Sequence, residues 1–149
     1  MPQIHLSTSI SAPVSACFAL SLSVDAHTES MGSSGERAVA GVTSGEMVLG
    51  DSVTWKARHF GIPFTMTSRI SEYRRPERFV DEQVSGPFKV WRHEHVFTQT
   101  PQGTLMTDLV TFSSPVGVVG RLVDYALLTK HMTALLQQRN EWLRQALTR

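Results

Sequence analysis

The run Lys89-Val90-Trp91-Arg92-His93-Glu94-His95-Val96-Phe97-Thr98-Gln99-Thr100 has the two-residue period of a β-strand. Successive strand side chains point to opposite faces. Trp91, His93, His95 and Phe97 therefore share one face, and Arg92, Glu94, Val96 and Thr98 share the other. The aromatic face is the one to expect inside. It carries two histidines, which a dry core does not take up without hydrogen-bond partners. One strand thus predicts a sheet with a partly polar interior.

The same period extends to both sides of it. Ser52 to Phe60, Phe64 to Tyr73, Arg78 to Ser85 and Thr104 to Ser113 all read as strands. They are separated by turn residues at Gly61 with Pro63, Arg75 with Pro76, Gly86 with Pro87, and Pro101-Gln102-Gly103. Regular spacing of this kind favours an antiparallel meander. Alternation puts Phe79, Asp81 and Gln83 on one face of their strand, Met106, Asp108, Val110 and Phe112 on one face of theirs, and Val53, Trp55, Ala57 and His59 on one face of a third. If these faces also point inward, the interior acquires a polar lining.

Further out, Gln3 to Ser9 reads as a first strand. Ser11 followed by Pro13 has the chemistry of a helix start, a capping hydroxyl and then a proline in the first turn. Two short helices are expected between Pro13 and Met31, a flexible break at Gly32 to Gly35, and an extended segment from Arg37 to Gly41. After Gly117 the period changes. Val118, Leu122, Tyr125, Leu128, Met132, Leu135, Leu136, Leu143 and Leu147 recur at spacings of three and four or their sums. This predicts one amphipathic helix of roughly 30 residues, about 45 Å long, which needs a broad surface to cover its apolar face. The expected architecture is α+β: a curved antiparallel sheet wrapped around the long C-terminal helix, with two short helices near the N-terminus.

A chain of 149 residues suits one domain, 1-149, and its 41% hydrophobic content supports a core. With 14 basic against 13 acidic residues, and a charged fraction of 18%, there is little charge to set against a phosphate backbone. No nucleic-acid partner is expected. No apolar run reaches the length of a membrane span, so no membrane insertion is expected either. The apolar stretch Ala16 to Leu20 lacks a preceding basic residue, the first being Arg37, and does not read as an export signal. One cysteine, Cys17, forms no internal disulfide, and it is read as a buried, inert thiol in a cytoplasmic protein. Arg58, Arg69, Arg74, Arg75 and Arg78 fall mainly on solvent-facing positions.

An apolar cavity with a few convergent polar groups is how small-ligand pockets are built. The alternative is a closed core in which Asp81 or Asp108 simply orients His93 or His95. The same groups suit two sharper chemistries. His93-x-His95 with Asp81 or Asp108 offers a weak zinc-ligand pattern, and a histidine held by a carboxylate is suited to acid and base work. The sequence has no G-x-S-x-G elbow, P-loop, HExxH or G-x-G-x-x-G, so acyl hydrolysis and nucleotide chemistry lack their usual support.

Several strings resemble a known superfamily. They are Gly50-Asp51-Ser52-Val53-Thr54-Trp55 through His59-Phe60-Gly61, Phe79-Val80-Asp81-Glu82-Gln83, Gly86-Pro87-Phe88 leading to Trp91-Arg92-His93-Glu94-His95-Val96-Phe97, then Asp108 and Ser114-Pro115-Val116-Gly117. In this order they resemble the helix-grip superfamily, called SRPBCC, which includes START lipid-transfer domains, Bet v 1-like proteins and polyketide cyclases. More closely, the chain is similar to bacterial ligand-binding SRPBCC proteins of uncharacterised function. The resemblance implies seven strands gripping the C-terminal helix and two short helices closing one end. It does not imply one reaction.

The expected function is binding of a small hydrophobic or amphipathic molecule between sheet and helix. Trp55, Phe79, Trp91, Phe97, Val110, Tyr125, Leu128 and Met132 would supply apolar contact. His59, Asp81, Gln83, His93, His95 and Asp108 would orient a polar end. The alternative is a cyclase or dehydratase type of enzyme, with His93, His95, Asp81 and Asp108 as its candidate catalytic residues. No cofactor and no resident metal are expected, and the protein is read as a monomer or homodimer.

Overall fold

The computed structural model describes residues 3–113 and 125–148. The chain begins with β1 (Gln3–Ile10), turns into α1 (Val14–Ser21) and α2 (Val24–Ser30), and passes a 3-10 turn at Gly32–Ser34. Six strands follow: β2 (Arg37–Gly41), β3 (Ser52–His59), β4 (Ile62–Arg74), β5 (Arg78–Ser85), β6 (Val90–Thr100) and β7 (Gly103–Ser113). The long helix α3 covers Tyr125–Leu147. All strand pairs are antiparallel, in the order β1-β7-β6-β5-β4-β3-β2. Strands two to seven form the expected meander, and β1 closes against β7. The curved seven-stranded sheet with its long C-terminal helix is the helix-grip arrangement. The predicted helix start between Val118 and Leu122, with Ser114, Pro115, Val116 and Gly117 before it, lies outside the described residues, as does the side chain of Tyr125.

Local chemistry corrects two expectations. The residue at the N-cap of α1 is Pro13, and no side chain caps that helix. The capping predicted for Ser11 is met instead at α2, where Ser23 accepts the Ala26 N–H at 3.1 Å. Pro63 belongs to β4, not to the turn before it. The turn is the two-residue pair Phe60 and Gly61, with φ of 55° and 75°, the left-handed geometry that matches strand twist in a tight hairpin. Pro63 is tolerated there because β4 pairs only with β3 until Thr67, leaving its other edge open.

The core has two parts. Under α1, Phe18 meets Tyr73, Phe79 and Phe97 edge to face, with ring centroids 5.5 to 5.6 Å apart. Cys17 is buried beside it. Under α3, Leu128, Met132, Leu135 and Leu136 pack on Ile4, Val110 and Phe112. On the outer face, Arg78 and Arg92 pair with Glu72 and Glu94, a solvent-side network of modest stabilising value. Between the two core regions the sheet and α3 do not close completely.

Candidate functional site

The space left there is a cavity of about 200 Å³. Three strands and the long helix supply much of its wall. β3 turns Val53, Trp55, Ala57 and His59 toward it, the full face that alternation predicts. β5 and β6 bring Phe79 and Asp81, then Trp91, His93 and His95. α3 covers it with Leu128, Met132, Leu136 and Arg139. Met31, Met47 and Met66 add flexible, polarisable side chains to the wall.

Strand register explains how the polar groups converge. Asp81 pairs with His93 across β5 and β6, and His95 pairs with Asp108 across β6 and β7. The side chains nevertheless bond diagonally. His93 Nε2 lies 2.7 Å from Asp108 Oδ1, and His95 Nε2 lies 2.7 Å from Asp81 Oδ2. The diagonal lean stacks the two imidazoles at 3.7 Å, and Phe79 continues the stack on His95 at 4.0 Å. Of the alternatives open in the sequence, both carboxylates act, one on each histidine.

The helix completes the cluster. Arg139 is 4% exposed and Asp108 is 0% exposed. Arg139 Nη2 donates to Asp108 Oδ1 at 2.6 Å, and Asn140 Nδ2 donates to Asp108 Oδ2 at 2.8 Å. Arg139 Nε and Nη2 also donate to Asn140 Oδ1. Burial opposes the charge on Asp108, but the Arg139 guanidinium and the neighbouring imidazoles outweigh it, so its carboxyl titrates well below the ordinary value. Burial opposes the charge on Asp81 too, and there the His95 hydrogen bond and the imidazole field win, again lowering it. His95 goes the other way. Burial, then the adjacent His93, push it down to about 4 despite the Asp81 bond. Neutral His95 uses its one N–H on Asp81, which leaves Nδ1 buried and without a hydrogen-bond partner among the described residues.

The chemical capacity of the cluster follows from these bonds. Asp108 accepts from His93 Nε2, and in the tautomer that makes this bond the lone pair sits on Nδ1, which has no hydrogen-bond partner among the described residues. An imidazole oriented in this way can accept and return a proton. Metal binding is less well served. The donor atoms of Asp81, His93 and His95 all lie within 4.8 Å of one another. Two nearly parallel stacked rings, however, aim their in-plane lone pairs side by side and not at one point, so a metal ion would require the stack to open.

A second polar group rims the cavity. His27 Nε2 lies 2.7 Å from Glu36 Oε1, and the His27 ring packs on Trp55 at 4.4 Å. His59 Nδ1 meets His131 Nε2 at 2.9 Å, tying the end of β3 to α3. Burial lowers both of these histidines, His59 further through His131.

Four predicted site residues are placed differently from expectation. Phe97 and Val110 face inward but lie within the packed core, away from the cavity wall. Asp108 stands behind His93 and Arg139 and is not itself part of the cavity wall. Gln83 does not line the cavity. Its Nε2 donates to Phe88 O at 2.6 Å and its Oε1 accepts the Phe88 N–H at 3.1 Å, fixing the turn that holds Phe88 beside Trp91. Residues missing from the sequence reading are His27, Glu36, Arg139 and Asn140. For Arg139 a signal existed, because it falls on the buried stripe of α3 between Leu136 and Leu143.

No family model matches the sequence, and no curated protein matches it. Solved structures do match. The chain is similar to TTHA0849 from Thermus thermophilus, with 17% identity, a TM-score of 0.75, and coverage of 97% of this chain and 99% of that one. It is similar to ginseng major latex-like protein 151 from Panax ginseng at 12% identity and a TM-score of 0.67, covering 98% and 97%. Ara h 8.0201 matches at 10% identity and a TM-score of 0.62, covering 95% and 97%. At these identities the likeness is one of fold. The chain shares the helix-grip fold with them. No helix among the described residues is long and apolar enough to cross a membrane.

Proposed function

We propose that this protein is a one-domain binding module that takes a small, mostly apolar molecule into the cavity between sheet and α3. The observation that carries the reading is the cavity's composition: a wall of Trp55, Trp91, Phe79 and methionines meets a cluster of bonded polar groups at Asp81, His93 and His95. Ligand pockets are commonly built in this way. A volume of about 200 Å³ suits an aromatic ring with a short substituent, since apolar cavities of about 150 Å³ already hold benzene. The buried, disulfide-free Cys17 agrees with a cytoplasmic setting.

Native and denaturing mass spectrometry of freshly purified protein test this proposal, together with a thermal-shift screen of neutral aromatic compounds. The expected result is either a small apolar molecule released on denaturation or a dose-dependent rise in Tm with ring compounds of this size. A protein whose native mass carries nothing and whose Tm responds to none of them contradicts the proposal.

A further inference from the structure

Charge and hydrogen-bond polarity around the cavity are lopsided. Among the described residues, its lining carries three charged groups, Glu36, Asp81 and Arg139. Arg139 is committed to the fully buried Asp108 at 2.6 Å, and those two charges cancel. Glu36 and Asp81 then face the cavity with only imidazoles beside them, His27 and His95, each at 2.7 Å. His95 stays neutral at neutral pH because burial and the adjacent His93 push it down to about 4. It stacks between Phe79 and His93 and gives Asp81 a hydrogen bond, not a counter-charge.

The free acceptors point the same way. Asp81 has one oxygen bonded to His95 and the other unused among the described residues. His93 offers the lone pair of Nδ1, 3.9 Å from Asp81 Oδ2. A ligand group placed between them must donate hydrogen bonds. An alcohol supplies one donor and no charge, and a carboxylate supplies neither. An alkylammonium supplies three donors and the missing positive charge. The faces of Trp55 and Trp91 in the same wall attract cations as well.

On the reading that the cavity binds a small apolar molecule, we propose that the polar end of that molecule is a protonated amine, seated between Asp81 and His93 Nδ1 with the apolar part against Trp55 and Trp91. The ligand class is a small aromatic or alicyclic amine.

Three probes of nearly equal size decide it: 2-phenylethylamine, 2-phenylethanol and phenylacetate, titrated into the wild-type protein at pH 7 by calorimetry. The amine is expected to bind at least about tenfold more tightly than the alcohol, the scale of one charge-assisted hydrogen bond, with phenylacetate weakest. Asp81→Asn should erase most of that advantage. If the alcohol or the acid binds as tightly as the amine, the cation proposal is overturned while the cavity reading stands. If none of the three binds, the cavity reading fails and the cation proposal with it. The wild-type ranking decides the matter even if a variant does not fold.

Discussion

Arg139→Met is expected to destabilise the protein by about 3 to 5 kcal/mol, measured by urea unfolding at pH 7, because it strands a buried carboxylate. Asp108 has no contact with solvent and accepts three hydrogen bonds, from Arg139, Asn140 and His93. Arg139 brings it a permanent positive charge. Its loss also takes both guanidinium donors from Asn140 Oδ1. A domain of this kind has only about 5 to 15 kcal/mol of stability in total, so a large share is at stake. Neutralising the partner should recover much of it: Asp108→Asn combined with Arg139→Met is expected to be more stable than Arg139→Met alone. A single variant within about 1 kcal/mol of wild type would show that α3 is not anchored to β7 through this pair.

Acidification is the second large effect. Free histidine titrates near 6.5, and folded His95 near 4, so between those values the unfolded chain binds a proton that the folded chain refuses. Stability is therefore constant above about pH 6.5 as far as His95 is concerned, falls as the pH drops through that window, and levels off below about 4. At pH 4.5 the loss from this one group is about 2 to 3 kcal/mol. His59 and His131 are shifted in the same direction and add to the slope. Asp81 and Asp108, both held below the ordinary value of 3.8, contribute stability that begins to be lost only at lower pH. Urea unfolding at pH 7, 5.5 and 4.5 should show this fall, and His95→Gln should flatten it. A wild type equally stable at all three values, or an unchanged slope in the variant, contradicts the assignment.

The part of the site on β6 was legible because nothing interrupts its pairing. β6 and β7 run in continuous register from Val90 opposite Ser113 to Thr100 opposite Gly103, so parity carries Trp91, His93, His95 and Asp108 to the same side. β4 shows where parity stops. A register shift between Ile70 and Glu72 inserts Ser71, turns Tyr73 inward onto Phe18 and leaves Glu72 outside with Arg78 and Arg92. A second irregularity in the β4–β5 pairing, between Thr67 and Ser68, lies opposite the end of β5 where Gln83 leaves the cavity face to clamp Phe88. Alternation also says which face a residue occupies but not how far it stands from a void, and so Phe97 and Val110 were placed at the cavity when they belong to the packed core. Arg139 was the clearest missed signal. A charged residue on the buried stripe of an amphipathic helix demands a buried counter-charge, and Asp108 was already a candidate for the interior.

The pairing of Asp108 with Arg139 also clarifies what the cluster is for. That pair is closed and structural, whereas Asp81 and His93 keep valences that no described residue satisfies. Polar groups arranged to bond only each other need no cavity beside them, while groups with unused acceptors at the end of an apolar pocket suit a guest that donates.

The central claim, that this pocket admits a small aromatic molecule, is tested most directly by an NMR titration of ¹⁵N-labelled protein with unlabelled indole. The three tryptophans report separately: Trp55 and Trp91 line the cavity, and Trp142 packs against the Phe18 core without lining it. The account predicts saturable shifts of the Trp55 and Trp91 indole N–H signals and of the His93 and His95 resonances, with Trp142 still. Shifts that fail to saturate, or that move Trp142 and leave Trp55 and Trp91 in place, would contradict it.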